Sequence, residues 1–556
     1  MNRANRLLPE HWNIDLKMAL CYNVGRIIAG FVGEDIMEQK GNSIIRRAEA
    51  RWPHFRVTML SALIFGILAH GVALVNKFSM VDDPQFLFDV GVTFRSGRWF
   101  LGILGELVRW IFGSPNFSLP LFGGLICLVL LGLCACVLID LLELQGKADW
   151  ILVPGLMVVL PVIAGFYCYL FTAPYYLFGL LLALFGCLLL CRYRKAWAYL
   201  GGVVLLALST GIYQAFIPTV LCVFLMFFLR QTQKSETWSV KKLLLEIVWY
   251  VSACLCFLSL YAILNSLCLK VLGLSMTGYN GLSDPVSGGI GEYLQRVKLS
   301  YYLFLKPDGT NRSAYMYPFR LHTLYYINLG VLVLAAANFV WQRLRKDRIR
   351  GLSAFLALCV FPLAVNFIYV MCAPKIVHSL MVYSQLLFWL LPWCLLRWEP
   401  VCPEKEKLSR WITKFACVLL AAASLMYVRY DNVVYLRMDM YQTRTIQYFT
   451  TIITQVKSLE GYESGLKLTF VNKDFNLDPT FVDIPEFTTF AVEPILQHTA
   501  ELTAHSFREF LNQWCGFDAE IVDEADYRDL PEVREMPQYP NAGSIRIIGD
   551  TVVIKF

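Results

Sequence analysis

The chain has 556 residues, of which 57% are hydrophobic and 14% aromatic, and only 16% are charged. Soluble domains carry about a quarter charged residues, so this composition excludes an ordinary soluble enzyme and specifies a polytopic membrane protein. The net charge of +7 hides a split, because the stretch from Asp431 to the C-terminus holds 10 basic and 20 acidic residues. The positive excess of the remainder reads as a topology signal and as contact with anionic membrane lipids, and it excludes nucleic acid as the expected partner.

Residues 1–56 are polar with mixed charge and predict a cytosolic segment. Within it, IDLKMALCYNVGRIIAGFVGEDIM reads either as an amphipathic helix on the membrane surface or as an ordinary soluble helix. The run VTMLSALIFGILAHGVALV is long enough to cross a bilayer and predicts a first span at 57–76. Arg46, Arg47, Arg51 and Arg56 crowd its N-terminal flank, which should hold that flank in the cytosol. The following loop, 77–117, then lies on the outer side and carries Asp82 and Asp83. Inside it RWFLGILGELVRWIF is too short and too charged to cross, and predicts an interfacial helix with Trp99 and Trp110 at headgroup level.

Further spans are predicted at 118–139, 150–170, 175–191, 196–213, 217–230, 245–272, 321–341, 352–372, 379–397 and 412–428, about 11 in all. Alternating the sides places RYRK (192–195), Lys241-Lys242, RLRKDRIR (343–350) and EKEKLSR (404–410) inside. The outer turns FTAPY and GIYQAF contain no Lys or Arg, in agreement with an inner N-terminus and an outer C-terminus. A long outer loop is predicted at 273–320. Residues 430–556 read as a small α/β domain outside the membrane, with a helix in MDMYQTRTIQYFTTIITQVKSL, a strand in LKLTFVN and a hairpin turned at Gly549-Asp550. Most of the 17 cysteines lie in apolar runs as small hydrophobes, none has zinc-ligand spacing, and Cys515 alone in the tail excludes an internal disulfide there.

Carboxylates and cations gathered at an outer membrane surface point to chemistry on a lipid-linked substrate. Moving a sugar from a lipid phosphate to a hydroxyl needs a base for the hydroxyl and cations for the departing phosphate. Asp82 and Asp83 can supply the base. The alternative is that one of them caps the helix opened by Pro84. Arg95 and Arg98 can grip phosphate or sugar oxygens, or can extend to lipid headgroups, and Asp89 can pair with either. The long loop offers Asp284, Glu292, Arg296, Lys298, Lys306, Asp308, Arg312 and Tyr315, a composition suited to a substrate-covering lid. Lys375 and His378, in the outer turn APKIVHS, can hold a phosphate or anchor lipid. Tyr213 and Gln214 sit where a span surfaces, where Gln214 can bond a sugar hydroxyl or a neighbouring helix. No metal is required by this set, although Asp82 and Asp83 together can recruit Mg²⁺ or Mn²⁺. There is no GxGxxG before a helix, no Walker loop and no DxD within a nucleotide-binding fold, which argues against a cytosolic nucleotide-sugar donor.

Three segments carry a family resemblance: VDDPQFLFDVGVTFRSGRW, GIYQAF and MPQYPNAGSIRIIGDTVVIKF. With them the chain resembles, from about residue 57 to its end, the bacterial glucosyltransferase type II family, the O-antigen-modifying domain of the GT-C superfamily. The resemblance implies a GT-C-like helical membrane fold, a polyprenyl-phosphate-glucose donor, a glycan acceptor, an inverting transfer, and a catalytic carboxylate in the first outer loop, which falls on Asp82 or Asp83. Two other readings stand beside it. One is a polysaccharide polymerase or ligase with a lipid-pyrophosphate donor, in which the arginines would matter most. The other is a transporter or flippase, which would show mid-membrane charges and internal repeats that this sequence lacks.

Overall fold

The computed structural model describes residues 53–78, 90–114, 116–235, 238–276, 289–307, 321–372, 377, 379–398, 406–472 and 503–556. The amphipathic N-terminal segment expected from the sequence lies outside the described residues. The chain divides into a short unit, Met1–Val57, and a large one, Thr58–Phe556. The helices run in order as α1 (Phe55–Val75), α2 (Val90–Arg95), α3 (Trp99–Phe112), α4 (Pro120–Leu142), α5 (Lys147–Val159), α6 (Pro161–Tyr167), α7 (Ala173–Arg192), α8 (Ala196–Ile212), α9 (Ile217–Lys234) and α10 (Val240–Leu272). They continue as α11 (Ile290–Leu305), α12 (Leu321–Lys346), α13 (Arg348–Val365), α14 (Ile368–Met371), α15 (Gln385–Trp398), α16 (Glu406–Lys457), α17 (Thr503–Cys515) and α18 (Pro531–Arg534).

Among the described residues eight helices are long and apolar enough to cross a membrane, and the α5–α6 pair, bent by 49°, makes a ninth. Every one of the predicted spans has become a helix. The difference from about 11 lies in α8, with 17 residues, and α15, with 14. At 1.5 Å per residue α15 covers only about 21 Å, short of the ~30 Å hydrocarbon layer. The apolar run reads as a full span because it continues upstream of α15 through the 3₁₀ turn Ser379–Met381. The bend between α5 and α6 follows from Pro161, whose missing N–H starts a new helix after an extended Leu160 (φ −64°, ψ 133°).

Small residues bring the helices together. The buried stripe of α1 is Thr58, Ser61, Ala62, Gly66, Ala69, His70 and Ala73, and Ser61 Oγ donates to the Ile151 carbonyl at 2.8 Å. Its opposite face exposes Leu60, Ile64, Ile67 and Leu68, as a lipid-facing surface does. The buried His70 is fully satisfied: one ring nitrogen meets Tyr435 Oη at 2.7 Å and the other the Val158 carbonyl at 2.9 Å.

Charges collect at one end of the bundle. Glu143, at the C-terminus of α4, faces Lys234 at 2.7 Å, Arg230 at 3.0 Å and Arg192 at 3.4 Å. Nearby, Asp149 at the start of α5 is paired with Arg397 near the end of α15 at 3.0 Å. Arg194, before α8, pairs with Glu246 of α10 at the same end. The RYRK turn and the N-terminal part of α10, two of the segments assigned to the inner side, therefore share one face.

Two helices outrun a bilayer. The 33 residues of α10 extend about 50 Å and the 52 of α16 about 78 Å. The tail helix foreseen from its periodicity is thus the continuation of the last span, and the boundary drawn at residue 430 falls inside α16. Beyond it stand β1 (Lys467–Val471), β2 (Ile545–Ile548) and β3 (Thr551–Lys555), in the order β1-β3-β2. β1 runs parallel to β3, and β2 pairs with β3 antiparallel around Gly549 (φ +62°), the predicted hairpin. Phe449, Ile452 and Val456 of α16 cover one sheet face with Leu468, Phe470, Val552, Ile554, Phe510 and Leu511. Val471, Val553, Val533 and Met536 form a smaller core, with Val553 on the face of β3 opposite Val552 and Ile554.

Candidate functional site

At the end of the bundle remote from Glu143, helices α2 and α3 form a tight corner. Gly97 takes a left-handed conformation (φ +76°), and the N–H groups of Gly97 and Arg98 donate to Phe94 O at 3.0 Å and Thr93 O at 3.2 Å. This is how a glycine closes a helix: it accepts the positive φ without a Cβ penalty and satisfies terminal carbonyls. A Cβ at Gly102 would overlap the Phe94 ring, so α2 lies directly on α3. Trp99 is buried, wedged against Gly211 of α8, whereas Trp110 is exposed. The reason is that the flat indole fits only where a neighbouring helix lacks a side chain, a partner that local periodicity does not reveal.

Two elements clamp this corner. Gln214, in the turn between α8 and α9, donates from Nε2 to Ser96 O and to Tyr261 Oη, both at 3.1 Å. Tyr261 of α10 in turn donates to Gly97 O at 3.0 Å. Arg95 donates from Nε to Ser275 O at 3.1 Å, just beyond α10. Residues 90–99, the described part of VDDPQFLFDVGVTFRSGRW, and GIYQAF, far apart in the chain, thus meet in one place.

Arg98 stands at the centre. Its guanidinium carbon lies 5.4 Å from the ring centre of Tyr213 and 6.0 Å from that of Tyr176, and Nη1 donates to Tyr176 Oη at 3.1 Å. The two rings stack on each other at 4.5 Å, with Phe166 against both. An aromatic bed attracts a guanidinium by its face and fixes its position. Such a group can take a phosphate oxygen through a charge-assisted hydrogen bond.

The other anchor of the first outer loop is on α16. Gln442 Nε2 donates to Lys77 O at 3.1 Å, and Phe78 stacks on Tyr435 at 6.3 Å. Burial pushes the Lys77 amine down to about 7, because a charged ammonium loses its hydration there. Asp82, Asp83 and Asp89 fall between these two anchors in sequence and lie outside the described residues, as do Asp284, Asp308, Arg312, Tyr315, Lys375 and His378.

Arg296 belongs to a separate polar cluster. On α11 it pairs with Glu292, donates from Nη1 to Val370 O at 3.3 Å and lies over Tyr293. One turn later Ser300 bonds Asn366 O at 3.2 Å, and Asn366 accepts from Gln385 at 2.7 Å. Lys298 and Lys306 are also on or just beyond α11. Phe216, two residues after Gln214, meets the ring of Tyr213 at 5.5 Å and that of Tyr383 at 6.5 Å. No group of three His, Cys, Asp or Glu side chains suited to a metal ion occurs among the described residues.

Sequence reasoning overlooked Tyr176, Tyr261 and Lys77. Tyr176 was signalled weakly by its place beside an outer turn without Lys or Arg. Tyr261 carried no signal, since one tyrosine in an apolar run reads as an ordinary span residue.

No curated protein and no solved structure matches the chain. A family model does, over residues 71–389, which is more than half of the chain and includes Lys77 together with the Arg98 and Arg296 clusters. The chain therefore belongs to the Glucosyl transferase GtrII family and is a multi-pass membrane glycosyltransferase.

Proposed function

We propose that the protein transfers glucose from a polyprenyl-phosphate donor to a cell-surface glycan such as O-antigen, on the outer face of the bacterial cytoplasmic membrane. The observation that carries this reading is the meeting of the first outer loop with the GIYQAF turn around Arg98, at the end of the bundle away from the basic turns. Basic turns stay in the cytosol, so Arg98 would face outward, where a donor already carried across the membrane is presented. The family supports a glucosyl group.

In the proposed reaction Asp82 or Asp83 takes the proton of an acceptor sugar hydroxyl. The oxygen attacks the anomeric carbon as the carbon–oxygen bond to the polyprenyl phosphate breaks, and the centre inverts. Arg98 stabilises the negative charge that gathers on the departing phosphate. Cations of the long outer loop, with Lys375 and His378, complete the phosphate site in this proposal. No organic cofactor enters the reaction. Chelation tests the metal: activity kept in EDTA fits catalysis by the chain's own carboxylate, and loss restored by Mg²⁺ or Mn²⁺ would put an ion on the acidic pair.

The deciding assay measures transfer of labelled glucose from polyprenyl-phosphate-glucose to a lipid-linked O-antigen acceptor by the purified protein in detergent. Arg98→Ala should lower kcat/KM roughly 10- to 100-fold, the worth of a charged hydrogen bond. Transfer from a lipid-pyrophosphate donor instead, or none with either donor, would overturn the reading.

Orientation is tested separately. Alkaline phosphatase fused after Lys457, at the end of α16, should be active, and a fluorescent protein fused there and exported through the general secretory route should stay dark. The opposite pair of results would put the C-terminal sheet in the cytosol.

A further inference from the structure

We propose that Tyr261 is a positioning residue for glucosyl transfer: its hydroxyl holds the Ser96–Gly97 turn so that Arg98 stays on its aromatic bed, directed at the donor phosphate. This rests on the reading of Arg98 as the phosphate contact.

Three observations carry it. First, the hydroxyl is used twice, donating to Gly97 O at 3.0 Å and accepting from Gln214 Nε2 at 3.1 Å. The same Gln214 nitrogen reaches Ser96 O, so the two carbonyls immediately before Arg98 are both held by one tyrosine–glutamine pair. A carbonyl away from bulk water has few other partners, which makes such a pair directional.

Second, the fit is close. A Cβ at Gly97 would stand 2.5 Å from Tyr261 Oη and 2.9 Å from Gln214 Nε2, and the residue's φ is +76°. The turn is pressed onto the hydroxyl, with no room for a side chain between them.

Third, α10 is otherwise a poor place for a functional group. Leu255, Ile263 and Leu267 are all more than half exposed on its lipid-facing surface. Around Tyr261, however, a different face of the helix, carrying Leu264, Cys268 and Leu269, packs against Phe94 and Trp99, with Leu274 and Met276 closing the cluster. That face receives the α2–α3 corner, and Ser275, just past α10, takes Arg95 as well. The 33-residue length places Tyr261 three turns short of the end of α10, about 17 Å, which lets a helix that outruns the bilayer offer a hydroxyl near the membrane surface.

The consequence is a division of labour. Arg98 contacts the donor. Tyr261 and Gln214 touch neither donor nor acceptor and act through the backbone that carries Arg98. Loss of the hydroxyl should therefore weaken phosphate handling without changing acceptor recognition.

The experiment compares wild type, Tyr261→Phe, Arg98→Ala and the double variant in detergent, with citronellyl phosphate as a short, sugar-free competitor for the phosphate site. Tyr261→Phe should raise the concentration of citronellyl phosphate needed for half inhibition about tenfold, the upper worth of a neutral hydrogen bond. It should lower kcat by a similar factor and leave the acceptor KM and the melting temperature unchanged. The double variant should be no worse than Arg98→Ala, because a positioning residue has nothing left to position. A purely structural tyrosine would lower the melting temperature and add its effect to that of Arg98→Ala. Should Tyr261→Phe fail to fold, Gln214→Met removes the other half of the clamp at similar volume, and the same non-additivity is expected of it. If wild type does not use polyprenyl-phosphate-glucose, the donor reading fails. If wild type does, Arg98→Ala loses competitor affinity, and Tyr261→Phe and Gln214→Met behave as wild type, the positioning role alone is overturned.

Discussion

One of the two substitutions Asp82→Asn and Asp83→Asn should abolish glucose transfer while leaving expression and donor binding intact. Asparagine keeps the size and hydrogen bonding of aspartate and removes its basicity, and losing a general base costs roughly 10²–10⁴ in rate. The other substitution should cost far less, about 1 kcal/mol of local stability if that aspartate caps the helix opened by Pro84. The pair stands between two fixed points of the chain. Lys77 and Phe78 are held on α16, and Ser96 and Gly97 on Gln214 and Tyr261. The measurement is single-turnover transfer from polyprenyl-phosphate-glucose in detergent, with donor binding followed by competition. Near-wild-type turnover in both variants would make the pair structural. The base would then be sought at Asp89, Asp284 or Asp308, and last at Glu292, whose carboxylate is committed to Arg296.

What the sequence disclosed and what it concealed follow from the range over which each signal acts. Hydropathy is a local property, so every span was visible as a helix, and the hairpin at Gly549 was visible because two strands and a turn are contiguous. Length along the membrane normal was less visible. An apolar run does not say where it leaves the helical conformation, which is why the residues before α15 read as part of a span. The continuity of α16 was hidden for the opposite reason. Its polarity changes midway while its helical period does not, and a change of solvent looks like a domain boundary. In the site, Arg98, Tyr213 and Gln214 were legible because charged and polar residues at the edge of an apolar run are conspicuous. Their mutual contact was not legible, since it depends on α8 and α10 lying on either side of the α2–α3 corner. Tyr261 and the burial of Trp99 belong to this same class of long-range fact.

The largest stability effect should come from the other end of the bundle, from Arg397→Ala. Asp149 is fully buried, and its carboxylate is satisfied entirely by α15: Trp393 Nε1 donates at 2.8 Å, Arg397 Nε at 3.2 Å and Arg397 Nη2 at 3.0 Å. A Cβ at Gly146 would stand 2.5 Å from Arg397 Nη2, so the guanidinium lies directly against the turn that precedes α5. Removing the arginine leaves a buried carboxylate with one indole for company. Breaking a buried pair from one side costs about 3–5 kcal/mol, and the partial exposure of Arg397 puts the expectation at about 3 kcal/mol, the lower end. Its measure is a large fall in melting temperature in detergent. Asp149→Asn combined with Arg397→Met removes both charges and should recover most of that loss, since a buried amide is far less costly than an unpaired buried charge. Activity per folded molecule should stay close to wild type in both, because α7 separates this pair from Arg98: its N-terminal end carries Tyr176 and its C-terminal end Arg192. A melting temperature unchanged in Arg397→Ala would mean that water reaches Asp149, and a loss of specific activity out of proportion to folding would mean that the two ends of the bundle are coupled.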